Sequence, residues 1–180
     1  MPAAMQRMIV RCAELHLEHI GRGGDAFETG SSRPLDFGHW VAHRLEELSA
    51  SEVKHGEAVA IGIALDSLYS QQLGILGEID LRRILTLLET LGFSLRHPAL
   101  AWLDVEKALG EFREHLGGVL SIPLLEGIGR KIEAHEIDIA LMKRCIALLG
   151  ERSAGKAGQV RHPVAPTALG PVYPERRHSS

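Results

Sequence analysis

The segment EAVAIGIALDSLYSQQLG, Glu57 to Gly74, is apolar on most of its faces once wound as a helix. A helix without a polar side has to sit at the centre of its fold, with other elements packed around it. Ala58, Ala60, Gly62 and Ala64 are small, so neighbouring backbones can come close. At 180 residues the chain is long enough for one good core. The expected architecture is therefore mainly α, a helical bundle around this segment.

The flanking sequence supplies the other layers. QRMIVRCAELHLEHI repeats its apolar positions at helical spacing and stops at Gly21, Gly23 and Gly24. GDAFETGSSRPLD reads as a loop, and Pro34 biases Arg33 toward extended geometry. A second helix is expected from near Phe37 to about Leu48 with Asp36 as its N-cap, and Ser51 is expected to cap the central helix. IDLRRILTLLETLGF is an amphipathic helix ending at Gly92, and another runs from about Val105 to Gly117-Gly118. VLSIPLLEGIGRKIEAHEI breaks the helical rhythm and predicts a small β-hairpin near the C-terminus. IDIALMKRCIALLG closes a helical domain over residues 1–150, and residues 151–180 read as a disordered tail rich in Pro, Gly, Ser and Arg.

Composition removes several function classes. The net charge is −3 with scattered Lys and Arg, and aromatic residues make up 4% of the chain, so neither a nucleic-acid footprint nor a base-stacking platform is expected. No apolar run reaches the ~18 residues of a membrane span. The start, MPAAMQRMIV, has no continuous apolar core or cleavage site of a signal peptide. Cys12 and Cys145 read as reduced, buried small hydrophobes, which fits a cytoplasmic location.

Ten histidines are the compositional oddity, and half of them fall in the first sixty residues. In RPLDFGHWVAHRLE, His39 and His43 are four apart and share a helix face. His55 follows in KHGEAVA, and a short connection can fold it back beside His39. Three neutral imidazoles are suitable ligands for zinc and other transition metals, but on spacing alone surface or core histidines are the more ordinary reading. A zinc protease is excluded, because Trp40 stands where the general-base Glu after the first His would be.

RPLDFGHWVAHRLE followed by VKHGEAVAIGIALD resembles the catalytic helical domain of dehydroquinate synthase and its relatives, the sugar phosphate cyclases. That family shows an LNFGHTxGHxxE block and then HGExVAxG. The resemblance covers roughly Leu17 to Ile137, and DAFETGSSRPLDFGHW with EFREHLGG is most similar to the divergent Ebo group. It implies metal ligation (Zn or Co) by His39 and His55 and an acid/base or proton-relay role for His43, with Asp36 also catalytic. It implies a phosphorylated sugar substrate, with Arg33, Arg113 and His115 in the substrate- and phosphate-binding region. In that family NAD transiently oxidises a ring alcohol, phosphate is eliminated, and reduction, ring opening and aldol closure follow.

Departures from the pattern qualify these expectations. Asp36 replaces the family's Asn, Ser32 falls at its loop Arg with Arg33 one place late, and Glu18 stands near its upstream Lys. Without those two cations a substrate carboxylate would lack its charge-assisted partners. The expected substrate is then a ketose phosphate of the sedoheptulose 7-phosphate type, unless Arg33 swings in to restore the contact. Arg113 and His115 either grip phosphate or form an exposed helix end; His16 and His19 are either surface or pocket residues. Glu57 either orients a ligand imidazole or is a first-turn acid, and Trp40 is expected in the core. No Gly-rich strand-turn-helix unit is present: GRGGD follows a helix and is a cap, so no residue is assigned to NAD. The chain is expected to be a fragment not active alone, or a half whose NAD-binding α/β domain is encoded separately. The third metal ligand is expected in that other part, and a homodimer is an assembly open to it. A metal-dependent alcohol dehydrogenase relative and a non-catalytic helical remnant or interaction module are the competing readings.

Overall fold

The computed structural model describes residues 3–22 and 34–154. In chain order they form α1 (Ala3–Arg22), a 3-10 turn (Pro34–Asp36), α2 (His39–Leu48), α3 (His55–Gln72) and α4 (Glu78–Thr90). A second 3-10 turn (Pro98–Trp102), α5 (Val105–His115), β1 (Ile122–Gly127), β2 (Arg130–Ala134) and α6 (Ile139–Ala154) complete them. The expected mainly α bundle with a late hairpin is the observed architecture. α6 continues past Gly150, where the sequence alone placed the end of the helical domain, and residues 155–180 lie outside the described residues.

α3 is the central element and packs against α2, α4, α6 and β1. Its apolar residues Ile61, Ala64 and Leu65 are buried with Leu45 of α2, Leu85 of α4, Leu124 of β1 and Met142 of α6. Asp66, Tyr69 and Ser70 are polar residues buried on it, and Tyr69 and Ser70 tie it to neighbouring elements. Tyr69 accepts through its hydroxyl from the Asp138 N–H at 2.8 Å, fixing the approach to α6. Ser70 donates to the Asp66 carbonyl at 2.7 Å and accepts from the Leu125 N–H of β1 at 3.2 Å. Buried polar groups persist where they are paired, so these contacts select the docking position of each element rather than merely tolerating it.

The hairpin is antiparallel, pairing Ile122 with Ala134 and Leu124 with Ile132. A bulge between Leu125 and Gly127 leaves Glu126 as the extra residue before the turn. The inner side of β1 covers α3, while β2 is the more exposed strand.

Three local expectations are corrected. α2 starts at His39, and Asp36 lies in the preceding 3-10 turn instead of capping the helix; Gly38 is the N-cap residue. Ser51 does not cap α3, because it sits in a left-handed turn with φ 65°; α3 starts at His55, where Glu57 accepts from the Lys54 N–H at 2.8 Å. Cys12 is exposed on α1, whereas Cys145 is buried in α6 as expected. No helix among the described residues is long and apolar enough to cross a membrane.

Candidate metal and proton-transfer site

The start of α2 is held by α3 rather than by its own sequence. Gly38 has φ +79°, and a Cβ there would lie 2.5 Å from the backbone nitrogen of Ile63. Gly62 faces it across the helix pair, and a Cβ on Gly62 would overlap the Gly38 carbonyl. Two missing side chains thus allow backbone to touch backbone. Asp66, one turn along α3, then reaches across: its carboxylate accepts from the Gly38 N–H at 3.0 Å and from the Trp40 indole N–H at 2.7 Å. Burial pushes the Asp66 carboxyl up to about 7, against the two donors, which pull it down. His39 lies between these two clamped residues.

α2 presents His39 and His43 on one face. The turn from Ser49 to Lys54 brings the chain back so that His55 opens α3 beside them. Ala50 and Ser51 adopt positive φ in this turn, and the Ser49 hydroxyl accepts from the Val53 N–H at 3.3 Å. The outcome is a triangle of imidazoles with ring centroids 5.3 Å apart for His39–His55, 5.8 Å for His43–His55 and 6.2 Å for His39–His43. His115 at the end of α5 joins as a fourth ring, 6.3 Å from His43.

The ring nitrogens are not equivalent. His55 Nδ1 lies 3.0 Å from a Glu46 carboxylate oxygen, and His39 Nδ1 lies 3.4 Å from the Phe37 carbonyl oxygen. Desolvation lowers the His39 pKa below the ordinary histidine value; the Phe37 carbonyl opposes this, His55 and His43 add to it, and Asp36 opposes it again. The neutral, ligand-competent imidazole is the form that burial favours at this position.

Of the sequence-predicted site residues, His39, His43, His55 and His115 come together. Asp36 is half-buried one turn before His39. Arg33 lies outside the described residues. Arg113 and His115 do not share a cavity, because residues two apart on a helix point to different sides. His115 lines a cavity of about 210 Å³ with His43, Arg44 and Trp40. Arg113 lines another of about 440 Å³ with Glu106 and His135. His16 is exposed on α1 and His19 is half-buried. Glu57 proves to be the first-turn acid of α3, and Trp40 is in the core at 2% exposure.

Sequence reasoning missed the roles of Glu46 and Asp66. Glu46 was visible as the last residue of the HxxE block, three after His43, and Asp66 as the lone charge in the apolar run from Ala58 to Gly74.

The donor chemistry fits a divalent ion in part. His39 and His55 are close, and each has its Nδ1 beside an oxygen acceptor, the arrangement that leaves Nε2 for a metal. Among the described residues, no group of three or more His, Cys, Asp or Glu side chains could hold a metal ion. Two imidazoles are short of the three protein ligands usual at a catalytic metal.

A model of the 3-dehydroquinate synthase C-terminal family matches residues 1–114. The chain belongs to that family. Similar curated relatives include a 3-dehydroquinate synthase from Latilactobacillus sakei, 34% identical over 59% of this chain and 29% of the relative. A 2-epi-5-epi-valiolone synthase from Streptomyces hygroscopicus subsp. jinggangensis is 31% identical over 67% of this chain and 29% of the relative. The solved structure of the 2-epi-5-epi-valiolone synthase ValA from that organism, with NAD+ and Zn2+ bound, superposes with a TM-score of 0.76 at 28% identity. That match covers 84% of this chain and 41% of ValA. The chain spans less than half the length of these relatives.

Proposed function

We propose that the chain is the metal-binding catalytic part of a sugar phosphate cyclase, a carbon–oxygen lyase acting on a phosphorylated sugar together with an NAD-binding part. The observation that carries this reading is the triangle of His39, His43 and His55, two of whose rings have their Nδ1 side anchored. It is supported by family membership and by the NAD+ and Zn2+ of ValA.

In this reading His39 and His55 hold a divalent ion, zinc or cobalt, with a further ligand from outside the described residues. When bound, such an ion acidifies a substrate hydroxyl and stabilises oxyanion charge. His43, one turn from His39, takes up and returns a proton at an imidazole nitrogen. Asp36, half-buried just ahead of His39, is the acidic group assigned to assist proton movement at this edge of the site. The cavity beside His43 has room for a group of phosphate size; it is lined by Arg44, whose guanidinium also pairs with Glu47, by His115 and by the acid Glu111. Arg113 reaches a phosphate only from its separate cavity, and Arg33 remains a candidate for a substrate anion.

The proposed substrate is a ketose phosphate lacking the carboxylate of the dehydroquinate precursor, since Ser32 and Glu18 stand where the resembled family carries cations. The unpaired Cys12 and Cys145 suit a cytoplasmic setting, and a homodimer is the simplest assembly.

The test is a zinc or cobalt titration of the full chain followed by its thermal midpoint. A ligand that binds only the folded state at ~100 times its Kd adds about 2.7 kcal/mol. The midpoint should rise with metal, and His39→Ala or His55→Ala should abolish the rise while His43→Ala leaves most of it. No metal-dependent shift, alone or with an NAD-binding partner domain added, would sink the proposal. Turnover of the carboxylate-bearing dehydroquinate precursor as fast as sedoheptulose 7-phosphate would overturn the substrate assignment.

A further inference from the structure

His55 occupies the first position of α3, and its side chain is 54% exposed. Packing against His39 and His43 alone does not set which of its ring nitrogens carries the proton. A free imidazole exchanges its proton between the two nitrogens, and only one arrangement presents a lone pair from a given nitrogen. The constraint on His55 comes instead from Glu46, nine residues earlier on α2, with a carboxylate oxygen 3.0 Å from Nδ1. An ionised carboxylate only accepts hydrogen bonds, so the hydrogen in this contact belongs to Nδ1.

The surroundings leave Glu46 available for this task. The adjacent acid Glu47 takes the Arg44 guanidinium in an ion pair. Glu57, the acid nearest His55 in sequence, is committed to the Lys54 N–H at 2.8 Å. The Glu46 backbone is pinned as well, because its carbonyl accepts from the Ser51 N–H at 2.8 Å and the Ser49 hydroxyl at 3.2 Å. The turn that carries the chain to His55 is therefore bonded to the residue that orients His55. His39 shows the same orientation in a looser form, with the Phe37 carbonyl 3.4 Å from its Nδ1.

We propose that Glu46 is a positioning residue that fixes His55 in its Nδ1–H tautomer, so that Nε2 is the nitrogen offered to a metal ion. The metal-facing part rests on the function proposed above; the tautomer does not. A carboxylate behind a ligand imidazole both orients the ring and makes the outward nitrogen more basic, and its loss typically weakens metal binding by about 10–100-fold.

The experiment uses the full chain without metal, at a pH about two units above the ordinary histidine pKa of about 6.5. Long-range nitrogen–proton NMR spectra of the imidazoles should show His55 protonated at Nδ1 and bare at Nε2. Glu46→Ala should move His55 toward a mixture or the opposite tautomer. Glu46→Gln keeps an acceptor oxygen at the same reach and should retain the wild-type pattern. Zinc affinity should then fall about tenfold or more in Glu46→Ala and less in Glu46→Gln. Thermal melts of both variants check that the fold is intact, as expected for a partly exposed side chain. A wild-type His55 carrying its proton on Nε2, or a Glu46→Ala spectrum identical to wild type, overturns the proposal. If the tautomers behave as stated but no zinc binds, the role of Glu46 stands and the metal reading falls. If zinc binds through His39 and His55 with affinity and tautomer both indifferent to Glu46→Ala, the reverse holds.

Discussion

A carboxyl group shut away from water holds the candidate site in register. Asp66 is fully buried, and its two oxygens meet the Gly38 N–H and the Trp40 indole on either side of His39. Asp66→Ala strands both donors, and each stranded buried group costs ~1–3 kcal/mol. The expected loss is therefore roughly 2–6 kcal/mol, read from urea unfolding. The same residue gives the protein a characteristic pH response. Its folded pKa, about 7, lies above the ordinary carboxyl value of 3.8, so between these limits the folded state keeps a proton that the unfolded state releases. Its contribution is fully present below the unfolded pKa and is lost as pH rises through the folded one. For a shift of this size the change is on the order of 4 kcal/mol. Unfolding free energies measured from about pH 4 to pH 7.5 should fall more steeply with pH in wild type than in Asp66→Asn. Parallel curves would show that burial does not raise this carboxyl.

At the scale of elements, the decisive contact is α2 against α3 through Gly38 and Gly62. Gly62→Ala puts a methyl group onto the Gly38 backbone, which cannot rotate away as a side chain would. Overpacking of this kind costs ~1–3 kcal/mol or more, and the shift it forces separates His39 from His55. Gly110 in α5 is the contrasting case, since a Cβ there meets nothing within 4 Å. Gly110→Ala should stabilise by about 0.5–1 kcal/mol through helix propensity and a less flexible unfolded chain. Opposite signs in denaturant midpoints check the pair. Much at this scale was legible beforehand: the small residues on α3 signalled close approach, the glycines after Thr90 and His115 marked helix ends, and Gly127 and Gly129 marked the hairpin turn. The capping was not. Asp36 and Ser51 are good cap residues by type, but Asp36 was displaced by a carboxylate from α3, and Ser51 was drawn into the turn between the helices. Local propensities of about 1 kcal/mol yield to tertiary contacts of greater weight.

At the scale of the molecule, α3 is where four packed elements meet, so damage to it should not stay local. Leu65 is fully buried in that core. Leu65→Ala should cost ~2–5 kcal/mol. It should also lower the unfolding midpoints of the hairpin and of α6 together, as seen by amide exchange at Leu124 and Met142. Protection lost in α3 while the hairpin kept its wild-type midpoint would contradict a single cooperative core. On α1, Met5, Met8, Ile9 and Leu15 are exposed rather than part of this core.

By itself the sequence determined the mainly α architecture, the central helix, the late hairpin and the likeness to sugar phosphate cyclases. Those properties reside in apolar periodicity and in short residue spacings, which are local along the chain. The return of His55 to His39 was expected from the short connection between the helices, and the structure bears it out. Only the tertiary structure decided that Glu46 stands behind His55, that Asp66 clamps the start of α2, and that Arg113 and His115 face different cavities. Each of these is a meeting of side chains fixed by packing angles and backbone approach, a relation that spacing along one strand of sequence does not carry.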